Sequence, residues 1–573
     1  MKKIQCLFAF LCLAIISCNP SDDSDSDTNP DTDFTKNFGA SASRDFIGQV
    51  VDVNNQPIQN ARISIGTSSV QTDVNGVFII NGANVHEKFA YITANKAGYI
   101  DGSRAMVPTN GKNNVKIMMI PATPIATIAS GTSSEVALPS GTKVLFDGAF
   151  ETESGAAYSG SVAVSMFHLT PSNQDISSLM PGMLYAQAAD GTAKVLQTFG
   201  MMQVELRGSG GEKLQIAKTH TAQIKMQIDA SQMATAPSSI PLWHFDEAKG
   251  YWIEEGSATK VGNQYVGNVS HFSWWNCDAC FPTVRLSTKI VDSNGNPISY
   301  VSANLTYDFQ TASGFTDDDG AVSGLIPVNQ ILTLEVYSTQ GCVIYTSTIG
   351  PFSVDTALPD IIITNTSNLF STLVQGNLLK CDNTNVTNGY VMLYSNYQTQ
   401  VSAVTNGAFN FNKIYCGANT NFKLKGFDYD SLQSTDSVSY HFATPITNVG
   451  NLAACNTVTE FISYKIDNEV TVFLIDNLNA YVKTNEFYIN GTSQDQSMTI
   501  TGNVFVPGVY TSSEFTIEGT SLNIYGITPN TIQFNLSQFG EVGQYLDLTF
   551  NGTYTDKTGT HSVTGVAHVR RDN

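Results

Sequence analysis

The chain has 573 residues, enough for roughly four domains at about 150 residues each. Hydrophobic residues make up 42% of it and charged ones only 14%, which excludes a disordered polyelectrolyte and a coiled coil. Lys and Arg number 29 against 49 Asp and Glu, a net charge of −20 with no basic stripe to relieve it, so nucleic acid is not an expected partner.

At the N-terminus, Lys2 and Lys3 precede an apolar run from Ile4 to Ile16. A basic start, a short apolar stretch and a small residue form a signal-peptide pattern, and the run is too short to span a bilayer as a helix. Ile15-Ile16-Ser17-Cys18 resembles a bacterial lipobox. The resemblance implies that residues 1–17 are removed and that Cys18 carries the lipid, a membrane anchor that needs no transmembrane helix. Residues 18–44 follow as an acidic tether, with Asp22, Asp23, Asp25, Asp27, Asp31 and Asp33 too polar to pack. Acids this close to the lipidated cysteine resemble an export tag to the outer cell surface. The expected location is therefore the outer membrane, facing outward.

From Phe46 onward, short alternating runs rich in Val, Ile, Thr and Tyr are cut by Gly, Asn, Asp and Pro, which predicts an all-β chain of tandem β-sandwiches. Residues 45–121 read most clearly. Asn54-Asn55 supplies a turn, Pro57 enters the next strand, and Thr72-Asp73-Val74-Asn75-Gly76 supplies a second turn before Phe78. Residues 122–282 form a larger β-rich unit. Residues 283–366 then repeat the first grammar: Asp292 precedes Pro297 by five positions, as Asp52 precedes Pro57, and Thr316-Asp317-Asp318-Asp319-Gly320 lies downstream. Residues 367–460 carry a degenerate third copy, in which Cys381 and Asp382 interrupt the turn. Residues 461–573 read as a C-terminal β domain. Matched internal spacing of this kind marks a repeat.

The repeated turns resemble the carboxypeptidase regulatory-like domain, a seven-stranded, transthyretin-like sandwich. The resemblance covers under half of the chain. It implies a fold and a secreted or surface setting, and it implies no catalytic residue.

Motifs that announce chemistry are missing. The chain has no G-x-S-x-G, no H-E-x-x-H and no phosphate loop, and His86-Glu87 lacks the second histidine of a metalloprotease helix. No catalytic residue, metal or cofactor is expected. The acidic turn at Asp317-Asp318-Asp319 reads as a turn, and Met180, Met183, Met201 and Met202 read as core.

Two groups of residues do stand out. Cys277, Cys280, Cys342, Cys381, Cys416 and Cys455 are an even set in an exported chain and are expected to form disulfides. Their pairing stays open; three lie around the second repeat and three in the third, so a bridge between the two repeats or two free thiols must result. Cys277-Asp278-Ala279-Cys280 also leaves a redox or metal role open, although no helix pattern follows it. All four tryptophans fall between positions 243 and 275. Residues 246–250 read as a hairpin loop that brings Trp243 toward Trp252, and alternation places Phe272 and Trp274 on one face and Trp275 on the other. Core packing accounts for most of these rings, while Trp243, Trp252 and Trp275 are the candidates for stacking on a ligand such as a sugar, with Trp275 expected to be exposed.

The resulting expectation is a non-catalytic, lipid-anchored surface protein in a rod-like array, acting in adhesion or in capture of a glycan or protein ligand. The alternatives are an accessory subunit with an outer-membrane protein partner, in a transporter or secretion complex, and an enzyme whose site lies in 122–282.

Overall fold

The computed structural model describes residues 34–573, apart from 308–309, 339, 366–368, 397, 418–419, 458–459, 468–471, 475, 494–495, 521 and 523–529. Cys18, the signal segment 1–17 and most of the tether 18–44 lie outside the described residues. The described chain is nearly all β. Its helical pieces are single turns at Thr35–Phe38, Ile176–Leu179 and Ala230–Gln232, and none is long and apolar enough to cross a membrane.

The first sandwich shows how the sequence pattern becomes a fold. Strand Ser41–Asp52 lies between Val77–His86, antiparallel, and Lys112–Met119, parallel. A four-stranded sheet of Ser68–Gln71, Arg62–Ile65, Ala90–Asn95 and Gly102–Met106 faces it. Alternate residues Ile63, Ile65, Ile92, Val115 and Ile117 point inward against Phe46 and Phe78, all buried. Each such side chain contributes roughly 1.5–3 kcal/mol on burial, which is why strict alternation specifies the register.

The first two repeats agree down to individual hydrogen bonds. Asp52 Oδ1 accepts from the N–H of Asn54 and Gln56, and Asp292 Oδ1 accepts from those of Asn294 and Asn296. Thr72 Oγ1 donates to Ile58 O at 2.7 Å, and Thr316 Oγ1 donates to Ile298 O at 2.8 Å. Gly76 (φ +70) and Gly320 (φ +72) sit in left-handed backbone, where a Cβ would meet Val50 O or Ile290 O at 2.3 and 2.5 Å. Only glycine fits both conditions. In the third copy Lys380 stands where the aspartate stood, and the capping carboxylate moves to Asp382, which accepts from Thr384 N–H. The backbone path survives: Lys380 N–H still bonds Thr384 O, and Leu378 N–H bonds Gly407 O.

The larger unit is built on one long, branched sheet running through Ala193–Arg207, Trp274–Asp292, Ser239–Asp246 and Tyr251–Val261. Trp274–Asp292 is 19 residues long and belongs to two sandwiches. Its first half pairs with Ala193–Arg207, and its second half pairs with Ala321–Pro327 and Ile361–Ile363 of the second repeat. The third repeat sets Ala408–Cys416, Leu369–Lys380 and Ile446–Ala454 against a sheet centred on Gly389–Ser395 and Asn421–Asp428. At the C-terminus a six-stranded and a four-stranded sheet enclose a core that includes Phe487, Ile489, Phe515 and Phe534.

The sandwiches do not form a rod. Val51, Ile100, Met118 and Ile120 of the first repeat share a core with Trp243, Trp252 and Trp274 of the larger unit. Ile47 and Val77 pack with Tyr390, Met392 and Phe427 of the third repeat. Lys88 Nζ pairs with Asp355 Oδ2 at 2.7 Å in the second. The first sandwich therefore touches three others, through apolar faces that a row of independent beads would leave in water.

Candidate functional site

The tryptophans named from the sequence are interior. Trp243, Trp252 and Trp275 are each 0% exposed and Trp274 is 3% exposed, so none offers an indole face to a ligand. The hairpin does form, with Asp246 opposite Tyr251 and Phe245 opposite Trp252. Alternation also places Trp274 and Trp275 in different cores. What periodicity could not show is that both faces of this sheet are covered, one by the larger unit and the other by the first sandwich. Phe272 precedes the strand and joins the core of Trp275 rather than that of Trp274. Trp243 Nε1 donates to Asp278 O and Trp275 Nε1 to His271 O, whereas the equally buried Trp252 Nε1 makes no hydrogen bond.

The cysteines divide differently from a uniform disulfide set. Cys342 is joined to Cys416, linking the second and third repeats, and Cys381 to Cys455 within the third. Cys280 is disulfide-bonded as expected, whereas Cys277 is a free, buried thiol, and the two do not pair with each other. Both lie in the extended strand Trp274–Asp292, where a three-residue step spans about 10 Å and reverses the face. A disulfide needs Cα atoms within about 7 Å, so this C-x-x-C cannot close. Burial pushes the Cys277 thiol well up, which leaves it unreactive.

A cavity of about 220 Å³ lies where the first sandwich, the larger unit and the second repeat meet. Its walls are mostly apolar, with Met106 on one side, Met180 and Met183 on another, and Phe281 and Leu325 closing the third. Three charged residues line it, Arg104, Lys116 and Asp317, and the Lys116 ammonium already donates to Asn55 Oδ1 at 2.7 Å. Arg104 sits in strand Gly102–Met106, the edge of its sheet, with the same parity as Met106, which leans on the sandwich core. The other face of that strand is covered: Ser103 Oγ donates to Pro181 O, and Met183 N–H bonds Ala105 O.

Arg104 Nη1 is fully enclosed and has no hydrogen-bond partner. Burial lowers the guanidinium to about 10, with no carboxylate opposing that shift. Asp317 also lines the cavity, but its oxygens already accept from the N–H groups of Asp319, Ala321 and Gly111. Burial raises its carboxyl above the ordinary value, despite hydrogen bonds that lower it. The neighbouring Asp318 Oδ1 accepts from Lys112 N–H at 2.6 Å. The triplet thus docks the second repeat onto residues 109–112 of the first, beyond serving as a local turn.

A guanidinium nitrogen buried without a partner or counter-ion is costly to the unliganded protein. Its planar fork matches the two oxygens of a carboxylate, and the apolar walls match a short hydrocarbon body. The cavity lies below the roughly 300–1,000 Å³ of drug-sized sites, so its ligand must be small. Sequence reading did not find Arg104; the available signal was a lone arginine at the inward parity of an edge strand.

No family model matches this chain. Cartilage intermediate layer protein 2 of Homo sapiens is 30% identical over 128 residues, covering 22% of this chain and 11% of that protein. The Mus musculus protein of the same name is 26% identical over 228 residues, covering 38% and 19%. The chain therefore spans less than a fifth of the length of these curated relatives. Among solved structures, the Streptococcal ancillary pilin is 12% identical with a TM-score of 0.14, covering 40% of this chain and 98% of that one. The Bacillus anthracis TIE protein is 9% identical with a TM-score of 0.15, covering 90% and 73%. The major pilin subunit BcpA of Bacillus cereus is 8% identical with a TM-score of 0.12, covering 72% and 100%.

Proposed function

We propose that this chain is a non-catalytic surface lipoprotein, held in the outer membrane through Cys18 and facing outward, that captures a small amphiphilic carboxylate at the junction of its sandwiches. Its three repeats are regulatory-like modules, a reading supported by the shared Asp-cap, Thr and Gly hydrogen bonds of the first two and the conserved backbone path of the third. The single observation that carries ligand capture is Arg104, whose Nη1 is buried beside a mostly apolar cavity without a hydrogen-bond partner. The docked arrangement supports it, because three units must stay fixed for the cavity to exist.

Calorimetric titration of the full chain with hexanoate, and with hexanol as the uncharged control, tests the reading. The acid should bind and the alcohol should not, and Arg104→Met should weaken the acid at least tenfold. Without ligand, the same variant should be more stable by about 1–3 kcal/mol, because an enclosed unpaired group is removed. Equal binding of acid and alcohol, or of wild type and R104M, would overturn it.

A further inference from the structure

We propose that His244, Glu255 and His271 form a binding site for one divalent transition-metal ion. None of the three lines the Arg104 cavity, so the site is separate from the proposed carboxylate pocket.

Three stretches of the larger unit bring these residues together. His244 lies on strand Ser239–Asp246 and Glu255 on its antiparallel neighbour Tyr251–Val261, while His271 stands in the short connection before Trp274–Asp292. In simple register His244 faces Ile253. The register shifts between Pro241 and Trp243, so Glu255 and Gly256 together oppose Leu242, with Gly256 at φ +81. Glu255 is two residues from Ile253, so strand alternation puts it on the face of His244 as a diagonal cross-strand neighbour, next to the bulge.

The resulting geometry is that of a three-ligand site. His244 Nδ1 lies 3.0 Å and His271 Nε2 lies 3.2 Å from the same oxygen, Glu255 Oε2. All three ligand atoms fall within 4.8 Å of one another. Ligands about 2.0–2.1 Å from a tetrahedral ion stand roughly 3.3 Å apart, so little movement would seat one. His244 Nδ1 is buried and faces Glu255 Oε2 at 3.0 Å outside good hydrogen-bond geometry, so its lone pair is directed into the cluster. An ion would use that lone pair.

The surroundings orient the ligands. Ser270 Oγ donates to Glu255 Oε1 at 2.7 Å, which leaves Oε2 to face the imidazoles. Trp275 packs 5.6 Å from the His244 ring and 5.1 Å from the His271 ring, and its Nε1 donates to His271 O. The two imidazoles meet edge to face at 4.7 Å. Such outer contacts fix ring planes in metal sites. The cluster is open on one side, with the Glu255 side chain 40% exposed, so water or a ligand atom can complete the coordination. Two imidazoles and one carboxylate, without thiolate, suit Zn²⁺, Co²⁺, Ni²⁺ or Cu²⁺ rather than Ca²⁺ or Mg²⁺.

Zn²⁺ titration by calorimetry, on full-length protein dialysed against chelator, is the test. Co²⁺ absorption in the visible reports the coordination directly. One Zn²⁺ per chain is expected, displacing Co²⁺ and abolishing its absorption band. His271→Gln and the near-isosteric Glu255→Gln should each weaken binding by tenfold or more while leaving the far-ultraviolet circular dichroism unchanged. Absence of stoichiometric Zn²⁺ binding would overturn the proposal, and so would binding that both variants retain in full.

Discussion

Tyr390 Oη donates a hydrogen bond to Asp73 Oδ2 at 2.5 Å, across 317 positions of sequence. Asp73 is the turn aspartate of the first repeat, and its counterpart Asp317 in the second repeat also leaves its own sandwich to bond Gly111 N–H of the first. One turn motif therefore serves twice as a docking element.

The Asp73 contact makes docking depend on pH. Burial raises the Asp73 carboxyl to about 6, although the Tyr390 and Tyr429 hydroxyls and two backbone N–H groups oppose that shift. A carboxyl raised in the folded state stabilises it most below the unfolded value, and that contribution is lost as pH rises from about 4 through 6. The change is about 3 kcal/mol. Relative to wild type, Asp73→Asn should gain about that much stability between pH 4 and pH 7. Hydrogen exchange in strands Val77–His86 and Gly389–Ser395 would read it locally, because a chain of several sandwiches need not unfold in one step. Parallel pH profiles for variant and wild type would refute the assignment.

Gly320 and Gly295 separate two causes of glycine preference within one repeat. Both have positive φ, but a Cβ at Gly320 would meet Ile290 O at 2.5 Å, whereas Gly295 has open space. Gly295→Ala should cost about 1 kcal/mol for backbone strain alone. Gly320→Ala adds a backbone clash and should cost more than about 2 kcal/mol. Chemical denaturation of the two variants side by side compares them, and equal losses would mean that the clash relaxes away.

The cysteines should differ in reactivity and in effect. Cys277 should resist iodoacetamide in the folded protein at pH 8 and be labelled after denaturation, as read by peptide mass mapping. Cys416→Ser removes a bridge between residues 74 positions apart and should destabilise by about 2–4 kcal/mol. Its first symptom should be faster proteolysis between the second and third repeats, since Cys342–Cys416 ties them covalently. Unchanged proteolysis there would show that noncovalent packing alone maintains the junction.

The repeats were legible because their signals are local. Asp52, Pro57, Thr72 and Gly76 each act within one turn or one strand pair, and their reappearance at 292, 297, 316 and 320 carries the same bonds. The third repeat was legible only as a degenerate copy, because its capping carboxylate had moved to Asp382. Arg104 and the cluster of His244, Glu255 and His271 were not legible. The first depends on which surfaces close over an edge strand, and the second on the connection before Trp274 folding His271 back over the strand pair that carries His244 and Glu255.

The tryptophans mark the boundary between the two kinds of information. Alternation alone determined that Trp274 and Trp275 point to opposite faces, since the period of a strand is a property of the backbone. Tertiary structure decided that both faces are dry, because the first sandwich packs Val51, Ile100 and Met118 onto the side that a solitary sheet would expose. The sequence by itself determined the strands, the turns and the repeat, which rest on steric and hydrogen-bonding rules acting over a few residues. Only the tertiary structure decided the docking, the cavity and the cluster of ligand atoms, because each joins groups far apart in the chain whose meeting depends on how whole apolar faces bury one another.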